Sequence, residues 1–182
     1  MSIVITGTPG VGKHTITNKI AKKLELEIID INKIAKESGL FEENQNIKDV
    51  DTEKLGKIIK KENLENTIIV GHLAPYVLKK NQIKKIIVLR RNPYDLITSY
   101  KQRQYTDKKS KENAGSEILG VIAHDVIKQF SEKAFQIDNS EKSINETVKE
   151  VLDTILGNHK DVEIDWLNMV TENDDLKKFF VD

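Results

Sequence analysis

Apolar residues along this chain follow two rhythms. Unbroken runs at Ser2-Ile3-Val4-Ile5-Thr6, at Thr67-Ile68-Ile69-Val70 and from Lys85 to Leu89 have the form of strands buried on both faces. Glu27 to Ile31 and Ala134 to Asp138 read as two further strands. Between these runs the apolar spacing lengthens to three and four, as in helices. Lys13 to Leu24 carries Ile16, Ile20 and Leu24 on one face. Asn32 to Ser38 is stopped by Gly39, and Glu53 to Asn63, capped by Asp51-Thr52, turns Leu55, Ile58 and Ile59 inward. Pro93 opens a helix bearing Leu96, Ile97 and Tyr100. Lys111 to Phe130 is expected as one helix, striped by Ile118, Ile122, Val126 and Phe130, and Ser143 to Leu156 as another, ended by Gly157. Phe41 to Val50 has no period and reads as a polar loop. Asp161 to Asp182 reads as a polar tail in which Trp166, Leu167 and Val170 are available to pack. Alternating strands and helices, with no repeat and no linker, predict one α/β domain over residues 1–182, a five-stranded parallel sheet with helices on both faces.

The chemistry concentrates at Gly7 to Thr15, read GTPGVGKHT, between the first strand and the first helix. Glycines at 7, 10 and 12 let backbone N–H groups approach phosphate oxygens, and the helix N-terminus adds partial positive charge. Lys13 can reach the outer phosphates as a mobile charge. This is the phosphate-binding loop of P-loop NTPases, in the strand–turn–helix context that the motif requires. One position departs from it. The residue after the lysine is ordinarily Ser or Thr, whose hydroxyl helps hold Mg²⁺. Here it is His14, followed by Thr15, and imidazole is a poor magnesium ligand. The expectation is a Mg²⁺ held mostly through water and nucleotide, with Thr15 as a weak helper. His14 either hydrogen-bonds phosphate or only caps and packs its helix.

In parallel sheets covered on both faces, ligands sit beyond the C-terminal strand ends. Thr6, Asp30, His72 and Arg90 map there. Of 29 basic residues three are arginine, namely Arg90, Arg91 and Arg103, all near the helix that begins at Pro93. Arginine's planar fork grips phosphoryl oxygens in a way that lysine cannot. Gln102 to Glu112 is polar and basic and reads as a mobile lid.

Composition adds exclusions. Formal net charge is zero, so no global field draws the chain to nucleic acid or to acidic membranes. There is no cysteine, hence no disulfide framework or thiolate metal site. No apolar run approaches the roughly 20 residues that span a bilayer. The first strand begins at residue 2 and leaves no room for a signal peptide. A soluble, cytoplasmic protein without a membrane partner is expected.

The segments GTPGVGKHT, Asp30 to Leu40, VLRRNPYDL, QRQYTDKKSKEN and Ala114 to Ile118 resemble the isoenzyme 6 type of adenylate kinase, a branch found in archaea and eukaryotes. The resemblance runs from residue 1 to about 160, and its more specific part is Arg103-Gln104-Tyr105 followed by Asn113 and Glu117. It implies a P-loop fold with a small segment for a nucleoside monophosphate at residues 30–53 and a short lid at 102–112. It further implies that Gly10, Gly12, Lys13, His14 and Thr15 contact ATP phosphates, with Arg103 reaching ATP from the lid. Asp30, Lys36 and Arg90 would face the monophosphate, and Lys13, Arg103 and His72 would act in catalysis. The implied reaction is Mg²⁺-dependent phosphoryl transfer from ATP to AMP, giving two ADP, with accompanying ATP hydrolysis.

The chain departs from this family at a second place. Eukaryotic members often end the third strand with Asp-x-His, where this chain reads Val70-Gly71-His72. The histidine is kept and the carboxylate is absent. His72 either orients a water or the acceptor phosphate, or packs at the strand end. Two other functions stay open at this stage. The family also implies an ATPase switch in small ribosomal subunit maturation and rRNA processing, through a small-subunit ribosomal protein or a pre-ribosomal particle. The same scaffold could also phosphorylate another small hydroxylated metabolite.

Overall fold

The computed structural model describes residues 1–44, 47–159 and 162–180, and over 41–49 the backbone path alone. Its strands are β1 (Ser2–Thr6), β2 (Glu27–Asp30), β3 (Phe41–Asn44), β4 (Ile47–Val50), β5 (Thr67–Val70), β6 (Ile83–Arg90) and β7 (Ala134–Asp138). Five of them form one parallel sheet in the order β2-β5-β1-β6-β7. The expected five-stranded parallel sheet is therefore present.

Strand periodicity explains why the apolar runs are continuous. Ile3 and Ile5 of β1, Ile68 of β5 and Ile87 and Leu89 of β6 enter one core. Val4, Ile69, Ile86 and Val88 enter the other. Alternate residues face opposite sides of a sheet, so only a run apolar at every position fills both layers.

On the first face lie α1 (Lys13–Leu24), α5 (Pro93–Gln102), α6 (Asp107–Ile118) and α8 (Ile144–Leu156). On the second lie α2 (Ile31–Glu37), α3 (Thr52–Ile59), α4 (Ala74–Val77) and α7 (Val121–Phe130). Side-chain caps start most of these helices. Asp30 accepts from the N–H groups of Asn32 and Lys33, Asp51 from Lys54, Asn92 from Tyr94 and Thr106 from Lys109. Ser143 and Glu146 form a reciprocal capping box. α1, like α4 and α7, starts without a side-chain cap, and its capping residue is Gly12. Its first N–H groups are thus left for another partner.

Two expectations are corrected. Residues 41–50 are not a loop. β3 and β4 pair antiparallel, from Phe41 opposite Val50 to Asn44 opposite Ile47. A small hairpin that does not join the main sheet needs no apolar alternation, so no period announced it. Lys111 to Phe130 is not one helix. The chain breaks between α6 and α7, where Gly120 takes a left-handed φ of 61°. The stripe of Ile118, Ile122, Val126 and Phe130 continues across the break and hid it. The expected basic lid, 102–112, is a turn at 103–106 followed by the first half of α6.

The tail forms α9 (Trp166–Glu172) and α10 (Leu176–Phe180). Val170 and Phe179 are buried in the first core, whereas Leu167 stays exposed. Phe179 meets the Tyr94 ring edge-on at 5.4 Å, and the Tyr94 hydroxyl donates to Asp175 at 2.8 Å. Gln45 and Asn46 of the expected loop, and Asp161, Val181 and Asp182 of the tail, lie outside the described residues. Among the described residues no helix is long and apolar enough to cross a membrane.

Candidate functional site

The glycine loop joins β1 to α1 and is held from three sides. The Tyr100 hydroxyl of α5 donates to the Pro9 carbonyl. The Asn139 amide, just past β7, donates to the Val11 carbonyl at 2.7 Å and is itself fixed by the Thr147 hydroxyl at 2.6 Å. The Thr8 hydroxyl donates to Glu117 Oε2 at 2.5 Å. Gly7 has φ 136°, and a Cβ there would stand 2.4 Å from the Leu89 carbonyl oxygen, so only glycine fits against β6.

Glu117 is a hub. Its Oε1 accepts from Arg90 Nε at 2.7 Å, from the Arg91 backbone N–H at 3.1 Å and from Trp166 Nε1 at 3.3 Å. Arg90 gives its remaining donors to the Glu117 carbonyl at 2.8 Å and to Gln136 Oε1 at 2.8 Å. Only 4% and 2% of the two side-chain surfaces are exposed. Arg90 was expected to face the monophosphate. The structure instead spends its whole fork inside the protein, because it follows Ile86 and Val88 on the covered face of β6. The neighbouring Arg91 points the other way.

Arg91 and Arg103 face the loop across a cleft of about 470 Å³ that also has Gly10, Gly12, Thr15, Asn139 and Lys142 in its walls. Arg91 Nε is buried there without a hydrogen bond, its ion-pair partner Asp95 Oδ2 standing 3.8 Å away in the same cleft. The sequence marked Arg103, Gly10, Gly12 and Thr15 as site residues and singled out Arg91 among the three arginines, but it left Asn139 and Lys142 unmarked. Asn139 stands at a strand's C-terminal end, the one signal that could have found it.

On the other side of the loop, His14 Nε2 meets Asp30 Oδ2 at 2.9 Å. Asn32 Nδ2 meets His72 Nδ1 at 2.6 Å. Burial, which pushes the Asp30 carboxyl up, is outweighed by the bond from His14 and by the N–H groups of Lys33 and Asn32, so it sits below the ordinary carboxylate range. Burial, aided by the Lys13 charge, pulls His72 down to about 4 and keeps the ring neutral at neutral pH. Lys36 is exposed on the last turn of α2, away from these contacts.

Lys13 lies between the two sides. It is buried, and Nζ donates to the Thr8 carbonyl at 3.2 Å. Burial lowers it to about 8. Asp30 and Glu117 work against that shift, and Arg103 adds to it. An ammonium on the edge of losing its proton is poised to gain from an anion. Among the described residues no group of three or more His, Asp or Glu could hold a metal ion. The oxygen donors at the loop, Thr15 and the His14-bonded Asp30, would suit a Mg²⁺ that arrives with nucleotide and keeps part of its water.

A family model for an AAA domain matches residues 3–120. A Methanococcus maripaludis protein named "Putative adenylate kinase" is 36% identical over 177 residues, covering 92% of this chain and 96% of that one. A protein of the same name from Saccharolobus solfataricus is 32% identical over 173 residues, covering 92% and 88%. Among solved structures, a gluconokinase from Sinorhizobium meliloti 1021 superposes with a TM-score of 0.61 at 14% identity, covering 85% of this chain and 91% of that one. A shikimate kinase from Aquifex aeolicus vf5 superposes with a TM-score of 0.55 at 20% identity, covering 87% and 98%. At these identities the two solved structures speak for the fold alone, that of P-loop kinases.

Two outcomes are expected of this geometry. Glu117→Gln leaves the buried Arg90 charge without its counter-ion and should cost about 3 kcal/mol of stability, read by urea denaturation. A loss below about 1 kcal/mol would mean that the pair is not the anchor described. The second concerns Lys13, which must be charged to hold phosphate. Above about pH 8 the free protein must take up a proton on binding, so the Kd for ATP should rise by up to about tenfold per pH unit. Calorimetry from about pH 7.5 to 9.5 that finds an unchanged Kd would contradict the assignment.

Proposed function

Because this chain belongs to the adenylate kinase-like family of P-loop kinases, we propose that it transfers the terminal phosphoryl group of ATP to AMP, giving two ADP, with slow ATP hydrolysis as a side reaction. The observation that carries this reading is a buried Lys13 between two receptacles. One is the cleft of Arg91, Arg103 and Asn139. The other is the wall of His14, Asp30, Asn32 and His72. A transfer between two nucleotides needs a donor site and an acceptor site that meet at one lysine.

In this reading ATP lies in the arginine-lined cleft, with its phosphates against the N–H groups of Gly10, Gly12 and Lys13 and the open end of α1. Thr15 lies on the same side as the cleft, and Arg103 closes over the phosphates from the turn that starts the 102–112 lid. The acceptor enters over α2 and the 30–53 segment, with Lys36 at its rim. A phosphate oxygen of AMP attacks the terminal phosphorus. The new P–O bond forms as the bond to the bridging oxygen of ADP breaks, and no covalent enzyme intermediate is needed. Lys13 and Arg103 stabilise the charge that moves onto the leaving oxygens. His72, neutral and steadied by Asn32, orients the acceptor or its water. Bound with ATP, Mg²⁺ neutralises charge between the outer phosphates. Arg90 acts from behind, by holding Glu117 and thereby Thr8 of the loop.

The test is a product assay with ATP, with and without AMP. AMP should yield ADP beyond the hydrolytic background. Phosphate release with no extra ADP would favour the other family function, an ATPase switch with a ribosomal partner. Arg103→Lys should lower kinase turnover roughly 10-fold, about 1.4 kcal/mol in the transition state, if the planar fork grips phosphate. The control is Lys108→Ala, since Lys108 is an exposed charge of the same segment. Lys109 is unsuitable, because its ammonium lies 4.3 Å over the Tyr105 ring. Equal, small effects from Arg103→Lys and Lys108→Ala would remove Arg103 from the phosphate site.

A further inference from the structure

P-loop enzymes ordinarily hold Mg²⁺ with the hydroxyl after the loop lysine and with a carboxylate at a neighbouring strand end. This chain has neither. The first place is His14, and the second is Val70, whose side chain is buried and offers no oxygen. A carboxylate nevertheless stands close by. In the β2–β5 ladder the Cα of Asp30 is registered with that of Val70, so Asp30 is at the same level of the sheet, one strand over. His14, the residue that fails as a hydroxyl ligand, is the one bonded to it, at 2.9 Å. The two departures from the pattern therefore meet in a single contact.

We propose that Asp30, oriented by His14, is the outer-shell anchor of the nucleotide's Mg²⁺, a carboxylate moved from the end of β5 to the end of β2. It would accept hydrogen bonds from the water shell of the ion rather than bind it directly. Mg²⁺ gives up water reluctantly, so an anchor through water suits it, and the imidazole needs only to hold the carboxylate. The carboxylate has room for this. Oδ1 takes the N–H groups of Asn32 at 3.0 Å and Lys33 at 3.1 Å, and Oδ2 takes His14. An ionised carboxylate offers about four acceptor sites, which leaves one. The side chain is 25% exposed, so water reaches it. The Asp30 charge also favours the charged form of Lys13, so the two groups share one electrostatic neighbourhood. In this role Asp30 meets the water of the ion, and contact with the monophosphate is left to the other residues of the acceptor wall.

The inference rests on the kinase reading, and the experiment separates the two. Mn²⁺ is titrated into the complex of the protein with ADP and followed by electron paramagnetic resonance. ADP binding without metal is measured by calorimetry on the same samples. Asp30→Asn keeps an acceptor for the cap of α2, so the fold should survive, and circular dichroism checks it. The variant should bind Mn²⁺ in the ADP complex about 10-fold more weakly, the scale of a lost outer-shell partner. Measured at about pH 6.5, where Lys13 keeps its proton without Asp30, its metal-free ADP affinity should not fall, because a negative charge near phosphate has gone. In a His14→Thr background the restored hydroxyl can bind the ion directly, and Asp30→Asn should cost much less. An unchanged Mn²⁺ affinity in Asp30→Asn, with ADP still bound, overturns the anchor and leaves the kinase reading standing. An equal loss in both backgrounds overturns the part given to His14. Failure of the wild-type protein to bind ADP, with or without Mn²⁺, overturns the kinase reading itself.

Discussion

One buried carboxylate sets the geometry on which the phosphate loop depends. Glu117 reaches from α6 to the end of β6, to the second residue of the glycine loop and to the indole of α9. Taking two charges out of water costs several kcal/mol each, and mutual attraction offsets this only where the remaining donors and acceptors are satisfied. Here the Arg90 fork is taken up by the Glu117 carboxylate and carbonyl and by Gln136, and the Glu117 carboxylate takes three further donors, from Thr8, Arg91 and Trp166. Such a pair fixes position more than it adds stability. It sets α6, and with it the turn that carries Arg103, at a defined distance from the loop.

With the loop so held, the site is organised before any ligand arrives. The hydroxyl of Tyr100, the amide of Asn139 and the carboxylate of Glu117 are all spent on the loop's own backbone or on Thr8. Orientation is thus settled in the folded state rather than during reaction, which is where electrostatic catalysis gains most. The uncapped start of α1 and the depressed Lys13 leave local groups unsatisfied until an anion binds.

Local signals made much of this legible in the sequence. The strands were readable because a sheet covered on both faces requires apolar residues at every position, as in Ile3-Val4-Ile5. The loop was readable because its glycines and lysine are fixed by spacing. What was hidden depends on partners far along the chain. Thr8 and Glu117 are 109 residues apart, and Asn139 and Val11 are 128 apart. Adjacent arginines at the end of β6 look alike in sequence, yet strand alternation sends Arg90 inward and leaves Arg91 to the cleft. The break at Gly120 was hidden because helices α6 and α7 share one apolar stripe across it.

The proposed transfer requires one chain to hold a donor and an acceptor nucleotide at once, on the two sides of Lys13. The most direct measurement is calorimetry with a bisubstrate analogue in which two adenosines are joined by five phosphates. One molecule should bind per chain, about 100-fold or more tighter than ATP, since linking the two nucleotides makes the second contact intramolecular. An analogue that binds no tighter than ATP alone would contradict the proposed transfer.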